Sequence, residues 1–97
     1  MMIHLIAEIK AHADRVDEVR SLLQSLLEPT RQEQGCCQYE LFVDNQIEGL
    51  FLMQEIWCSQ QSLDRHIASE HFQRFKDRIE EEELLEYLHL RPLTFVA

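Results

Sequence analysis

The chain has 97 residues, 45% hydrophobic and 28% charged, with 18 acidic residues against nine Lys and Arg and a formal net charge of −9. This composition suits one folded domain over residues 1–97 and sets aside a disordered chain. It also argues against nucleic acid and anionic membrane surfaces as partners, since both call for a basic stripe.

The opening segment, MMIHLIAEIK, alternates as a strand, with Ile3, Leu5, Ala7 and Ile9 on one face and His4, Ile6, Glu8 and Lys10 on the other. Glu8 and Lys10 interrupt its apolar run before a signal-peptide core or a membrane span could form, so a cytoplasmic protein is expected. Asp14 is placed to cap a helix whose apolar stripe is Val16, Val19, Leu22, Leu23, Leu26 and Leu27. Pro29 should bend or thin that helix near its end, and Gly35 should supply its left-handed stop. CCQYELFVD then alternates as a second strand, and the polar stretch from Asp44 to Gly49 looks like a hairpin connection to a third. Of the three cysteines, Cys36 and Cys37 stand together and Cys58 alone. An odd number without CxxC spacing fits reduced thiols, and the adjacent pair is taken as an ordinary strand start.

The third strand sets Phe51, Met53, Glu55 and Trp57 on one face and Leu52, Gln54, Ile56 and Cys58 on the other. Ser59 can cap a second helix carrying Leu63, His66, Ile67, His71, Phe72, Phe75 and Ile79. The run from Glu80 to Glu83 is a solvated helix face or turn. EYLHLRPLTFVA closes the chain as a fourth strand in which Pro92 is tolerable only at an edge or a bulge. The order β-α-β-β-α-β defines an α+β, ferredoxin-like arrangement with a four-stranded antiparallel sheet. Both helices would cover one face of the sheet, and strands apolar on both sides then call for a second copy on the other, as a homodimer.

Glu55, Trp57, Ser59, Leu63, His66, Ser69, His71 and Phe72 fall in the pattern E-x-W-x-S, L-x-x-H and [ST]-x-H-F, which resembles the signature region of the antibiotic biosynthesis monooxygenase family. Weaker similarity extends over the first strand, the first helix and the E-Q-G-C-x-x-Y-E-L stretch beginning at Glu33. The resemblance implies a dimeric α+β barrel closed by the bare sheet faces and, in many members, an oxygenase that oxidises quinols or polyphenols without metal, flavin or nicotinamide. It also separates the branches. The substrate-binding Asn of the polyketide-oxidising branch is Met53 here. The haem-degrading branch needs a first-strand Asn that is absent, and its haem ligand would fall near Phe75 or Lys76. A branch that processes small signalling sugars in His-rich pockets stays open through His66 and His71, as does a non-catalytic small-ligand-binding dimer.

The leading expectation is a cofactor-free monooxygenase acting on a small aromatic or quinol substrate. Glu55, His66 and His71 are its candidate catalytic bases, and Trp57, Met53, Phe51, His4 and Phe72 its candidate substrate-binding residues. Each has a plainer alternative: Trp57 as core, Glu55 in a salt bridge across a dimer, and the histidines as satisfied, partly buried side chains. If Glu55 faces inward its charge must be paired or its pKa raised, and a raised pKa suits a base. No metal is expected, because five residues along a continuous helix set His66 and His71 roughly 140° apart. A break near Ser69 would instead bring both imidazoles to one cavity. Alternation alone does not say which sheet face the helices cover.

Overall fold

Hydrophobic alternation in the first segment produces a strand at the centre of the sheet. In the computed structural model, which describes residues 1–97, β1 (Ile3–Ala11) lies between β3 (Leu50–Trp57) and β4 (Leu85–Leu93), with β2 (Cys36–Val43) beyond β3. All pairs are antiparallel, and β2 and β4 are the edges. The order β2-β3-β1-β4 is the expected ferredoxin-like α+β arrangement. Pro92 lies opposite Leu5 in edge strand β4, where a missing N–H disrupts least.

The helices cover the odd-numbered face of β1 and β3. Leu5, Ala7, Ile9 and Ala11 from β1 and Phe51, Met53 and Trp57 from β3 are buried beneath Val19, Leu23 and Leu26 of α1 (Val16–Arg31). Glu55 is buried on that same face. The other face carries no helix, and on it Phe42, Tyr87 and Leu93 are exposed, interspersed with ion pairs from Arg91 to Glu8 and from Lys10 to Glu86.

Local chemistry at the helix ends departs from the expectations in three places. Asp14 does not cap α1; the cap position is Arg15, whose guanidinium binds Glu18 and Glu82 instead. Pro29 sits inside the last turn without ending it, because the helix needs only to forgo one N–H there. The helix stops at Arg31 with Gln32 as its cap, and Gly35, at φ +90°, turns the chain three residues later instead of ending the helix. Ser59 does cap the next helix, accepting from the Ser62 N–H at 3.2 Å. The expected single helix is two, α2 (Gln60–Ile67) and α3 (Glu70–Glu81). Ser69 makes the break, since its hydroxyl donates to the His66 carbonyl at 2.6 Å and accepts from the Phe72 N–H at 3.3 Å, closing one helix and capping the next.

Gly35 is constrained twice. Its backbone is left-handed, and a Cβ there would lie 2.1 Å from the Ser62 hydroxyl in the first turn of α2. At Gly49, φ is +79° but the nearest obstacle is a Val16 methyl at 3.1 Å. Gly35→Ala should therefore cost about 3 kcal/mol and Gly49→Ala about 1 kcal/mol in urea unfolding. Equal losses would show that the contact with Ser62 does not constrain the turn.

Candidate functional site

The break at Ser69 decides where the two histidines go. His66, on the last turn of α2, is 2% exposed, and its Nδ1 lies 2.7 Å from Oε2 of Glu33. His71, on the first turn of α3, sets its Nε2 2.7 Å from the same oxygen. A carboxylate only accepts, so both facing nitrogens carry protons. Ser69 agrees with this: its hydroxyl proton is committed to the His66 carbonyl, leaving its oxygen to accept from His71 Nε2 at 3.2 Å. His66 Nε2 and His71 Nδ1 are then the basic nitrogens. Burial pushes the His66 pKa down against the opposing pull of Glu33, so its imidazole is neutral near pH 7.

Beneath this hub lies a second buried acid. Trp57, with no exposed surface, donates from Nε1 to Glu55 Oε1 at 2.9 Å, and its ring stacks obliquely on His66 at 4.7 Å. Tyr39 meets the His66 ring edge-on at 5.4 Å, and Phe72 packs on its other side at 5.0 Å. Burial pushes the Glu55 carboxyl up to about 7; the Trp57 hydrogen bond opposes that rise and the charge of Glu33 adds to it. Burial also holds the Tyr39 phenol well above its ordinary range.

The structure thus brings together Glu55, Trp57, His66, His71 and Phe72. Met53, fully buried on the same strand face, is the next residue along from Glu55. Phe51 lies at the far end of that face under the Arg20 guanidinium, away from the histidines. His4 is on the helix-free face, opposite Ile56 and stacked on Phe95, so it does not line the same space. Trp57 is packed against His66 and forms no wall of an open cavity, because β3 runs directly beneath α2.

Glu33 and Tyr39 complete the cluster, though neither was among the candidate residues. Both lie in the E-Q-G-C-x-x-Y-E-L stretch, and the signal was there: an acid two residues before a left-handed glycine and three before a strand. Glu33, His66 and His71 offer three ligand atoms within 4.8 Å of one another, so the expectation that no ligand set converges does not hold. Yet both nitrogens point at one carboxylate oxygen at hydrogen-bonding distance, and that oxygen occupies the point where their lone pairs would meet. A cation could enter only by displacing two protons and moving Glu33.

Open space lies on either side of the packed centre. An apolar groove of about 490 Å³ between α3 and β4 is lined by Phe72, Phe75, Ile79, Leu85, Leu88 and Leu90. A more polar groove of about 500 Å³ between α1 and α3 reaches His71, beside Arg74, Asp77 and Arg78. No helix is long and apolar enough to cross a membrane.

The sequence model of the family described as antibiotic biosynthesis monooxygenase matches residues 2–78, from the start of β1 into α3. The chain belongs to that family. Among its relatives, YcnE of Bacillus subtilis, a protein named provisionally as a monooxygenase, is 38% identical over 74 residues, 76% of this chain and 78% of that one. The uncharacterised protein sll1783 of Synechocystis is 33% identical over 70 residues, 72% of this chain, and the match spans about half of its length, 48%. The crystal structure of PA3566 from Pseudomonas aeruginosa superposes with a TM-score of 0.92 at 35% identity, covering 99% of this chain and 95% of that one. Membership of the antibiotic biosynthesis monooxygenase family accords with the α+β fold seen here and with a monooxygenase-like role.

The raised Glu55 pKa has a consequence for stability. The folded protein holds that proton up to about pH 7, whereas an unperturbed carboxyl releases it near 4.5. Folding therefore takes up a proton between those values, and stability falls by roughly 3 kcal/mol as pH rises through this window, levelling off above it. Glu55→Gln keeps an acceptor for Trp57 and removes the charge. Its melting temperature relative to the native protein should rise steadily from pH 4.5 to pH 8. His66 works in the opposite sense, losing stability as pH falls below about 6.5, but equally in both proteins. A difference independent of pH would mean that Glu55 is not buried as an acid.

Proposed function

We propose that the protein is a cofactor-independent oxygenase that acts on a small aromatic or quinol substrate with molecular oxygen. The observation that carries this reading is the Glu33 carboxylate holding two imidazoles, one of them separated only by the Phe72 ring from an apolar groove sized for one or two aromatic rings. The substrate lies in the groove against Phe72, and displacement of that ring brings its hydroxyl to His66. Nε2 of His66 takes the hydroxyl proton, and Glu33 stabilises the imidazolium across the ring. His71, on the same oxygen and open to the α1–α3 groove, exchanges the proton with solvent. The electron-rich anion reduces oxygen directly. One oxygen atom enters the ring, the other leaves as water, and the quinol, ending as a hydroxyquinone, supplies all four electrons.

A second reading, turnover of a small hydroxylated ligand such as a signalling sugar, is favoured by the polar lining beside His71. Oxygen uptake by purified, chelator-treated protein over a quinol panel separates the two. Glu33→Gln and His71→Ala should lower kcat/KM by about 10²-fold while shifting the melting temperature by only a few degrees, since both side chains are partly exposed. Trp57→Ala is a poor test because it empties a buried core site and should cost about 4 kcal/mol whatever its role. Binding without oxygen uptake would support the non-catalytic alternative, and unchanged turnover in both variants would remove the Glu33 hub from the mechanism.

We further infer that a second copy covers the helix-free sheet face, where Phe42, Tyr87 and Leu93 otherwise stand in water. Sedimentation at micromolar concentration should give a dimer, and Phe42→Asp should shift it towards monomer. A native monomer at that concentration would overturn the inference.

A further inference from the structure

Two of the three cysteines meet at a corner of the sheet, away from the histidine hub. The pairing of β2 with β3 slips between Cys36 and Gln38, so that Cys36 stays opposite Trp57 and Cys37 is an extra residue turned outward. Cys58 directly follows β3, and its N–H donates to the Gly35 carbonyl at 2.8 Å, tying the backbones of the two segments together. The sulfurs of Cys37 and Cys58 lie 3.5 Å apart, and both residues are exposed. Cys36 is different: it packs against the core, and burial pushes its thiol up to about 11.

We propose that Cys37 and Cys58 are a thiol modification site that closes to a reversible intramolecular disulfide on exposure to a low-molecular-weight disulfide oxidant. A disulfide bond is about 2.05 Å long, so the sulfurs need approach by only roughly 1.5 Å, within reach of small side-chain rotations. One thiolate of the pair attacks a sulfur of the oxidant and expels one reduced thiol. The other attacks the mixed disulfide and expels the second. Two protein thiols lose two protons and two electrons, and the oxidant leaves as two thiols. Sharing a proton with the Cys58 sulfur raises the Cys37 pKa, so the reaction should speed up as pH rises.

The bond would cross-link residues 21 apart in sequence and clamp the loop that carries Glu33 to the start of α2, whose last turn carries His66. Local structure already brings these segments together: Gly35 packs on Ser62, and the Cys36 N–H donates to the Glu33 carbonyl. Closure therefore restricts the unfolded chain with little change in the folded one, and should raise the melting temperature by roughly 10 °C.

The test is incubation of the purified full chain with oxidised glutathione at pH 8, then alkylation and mass spectrometry with peptide mapping. The expected product is a monomeric polypeptide two hydrogens lighter, linked from Cys37 to Cys58, with Cys36 alone still alkylated and all three thiols restored by dithiothreitol. Cys36→Ser should give the same linkage. Cys37→Ser, a substitution of an exposed side chain, should abolish it along with the rise in melting temperature. A Cys36–Cys37 linkage, a disulfide between chains, a stable glutathione adduct without ring closure, or three unmodified thiols would each overturn the proposal.

Discussion

One carboxylate oxygen, Oε2 of Glu33, ties three segments together: the loop after α1, the end of α2 and the start of α3. Both donors are imidazoles within a largely buried cluster, where a hydrogen bond to a charged acceptor is stronger than in water and an unpaired one is costly. The arrangement depends on the helix break. A continuous helix would turn one imidazole away, and Ser69, by bonding both the helix that ends and the helix that starts, turns them towards the same point.

Two acids in one apolar region repel each other, and the site handles that by giving them unlike surroundings. Glu33 takes two N–H donors and keeps some contact with water. Glu55 lies deeper, has one donor from Trp57, and holds its proton up to about pH 7. Environments that drive neighbouring titratable groups apart in this way are how a folded chain supplies a proton acceptor and a proton donor side by side. The aromatic rings of Tyr39, Trp57 and Phe72 around His66 exclude water, which keeps the imidazole neutral and leaves its Nε2 lone pair free to accept a proton.

The sheet is asymmetric for a reason of covalent order. Each helical crossover, α1 after β1 and the α2–α3 pair after β3, returns over the same face, so α1, α2 and α3 all gather on the odd-numbered side of β1 and β3. That crowding builds the core and the candidate site together, and leaves the even-numbered side, with its mixture of Phe42, Tyr87 and Leu93 among ion pairs, without cover from this chain.

Periodicity in the sequence determined the four strands, their faces, the helix stripes and the Ser59 cap, because these depend on residues within a few positions of one another. Alternation alone put Glu55 beside Trp57, and the hydrogen bond between them follows from that two-residue spacing. The tertiary structure decided the rest. Which face the helices cover depends on how the chain crosses over the sheet, and it is what turned Glu55 from a solvated acid into a buried one. Glu33 stands 33 residues before His66, and only the folding of β2 against β3 brings its loop beneath α2. Cys37 and Cys58 show the same dependence: the sequence pairs Cys36 with Cys37, but a one-residue slip in strand register sends the first into the core and the second out to Cys58. Register between strands is a long-range property, set by the packing of whole faces, and no local pattern records it.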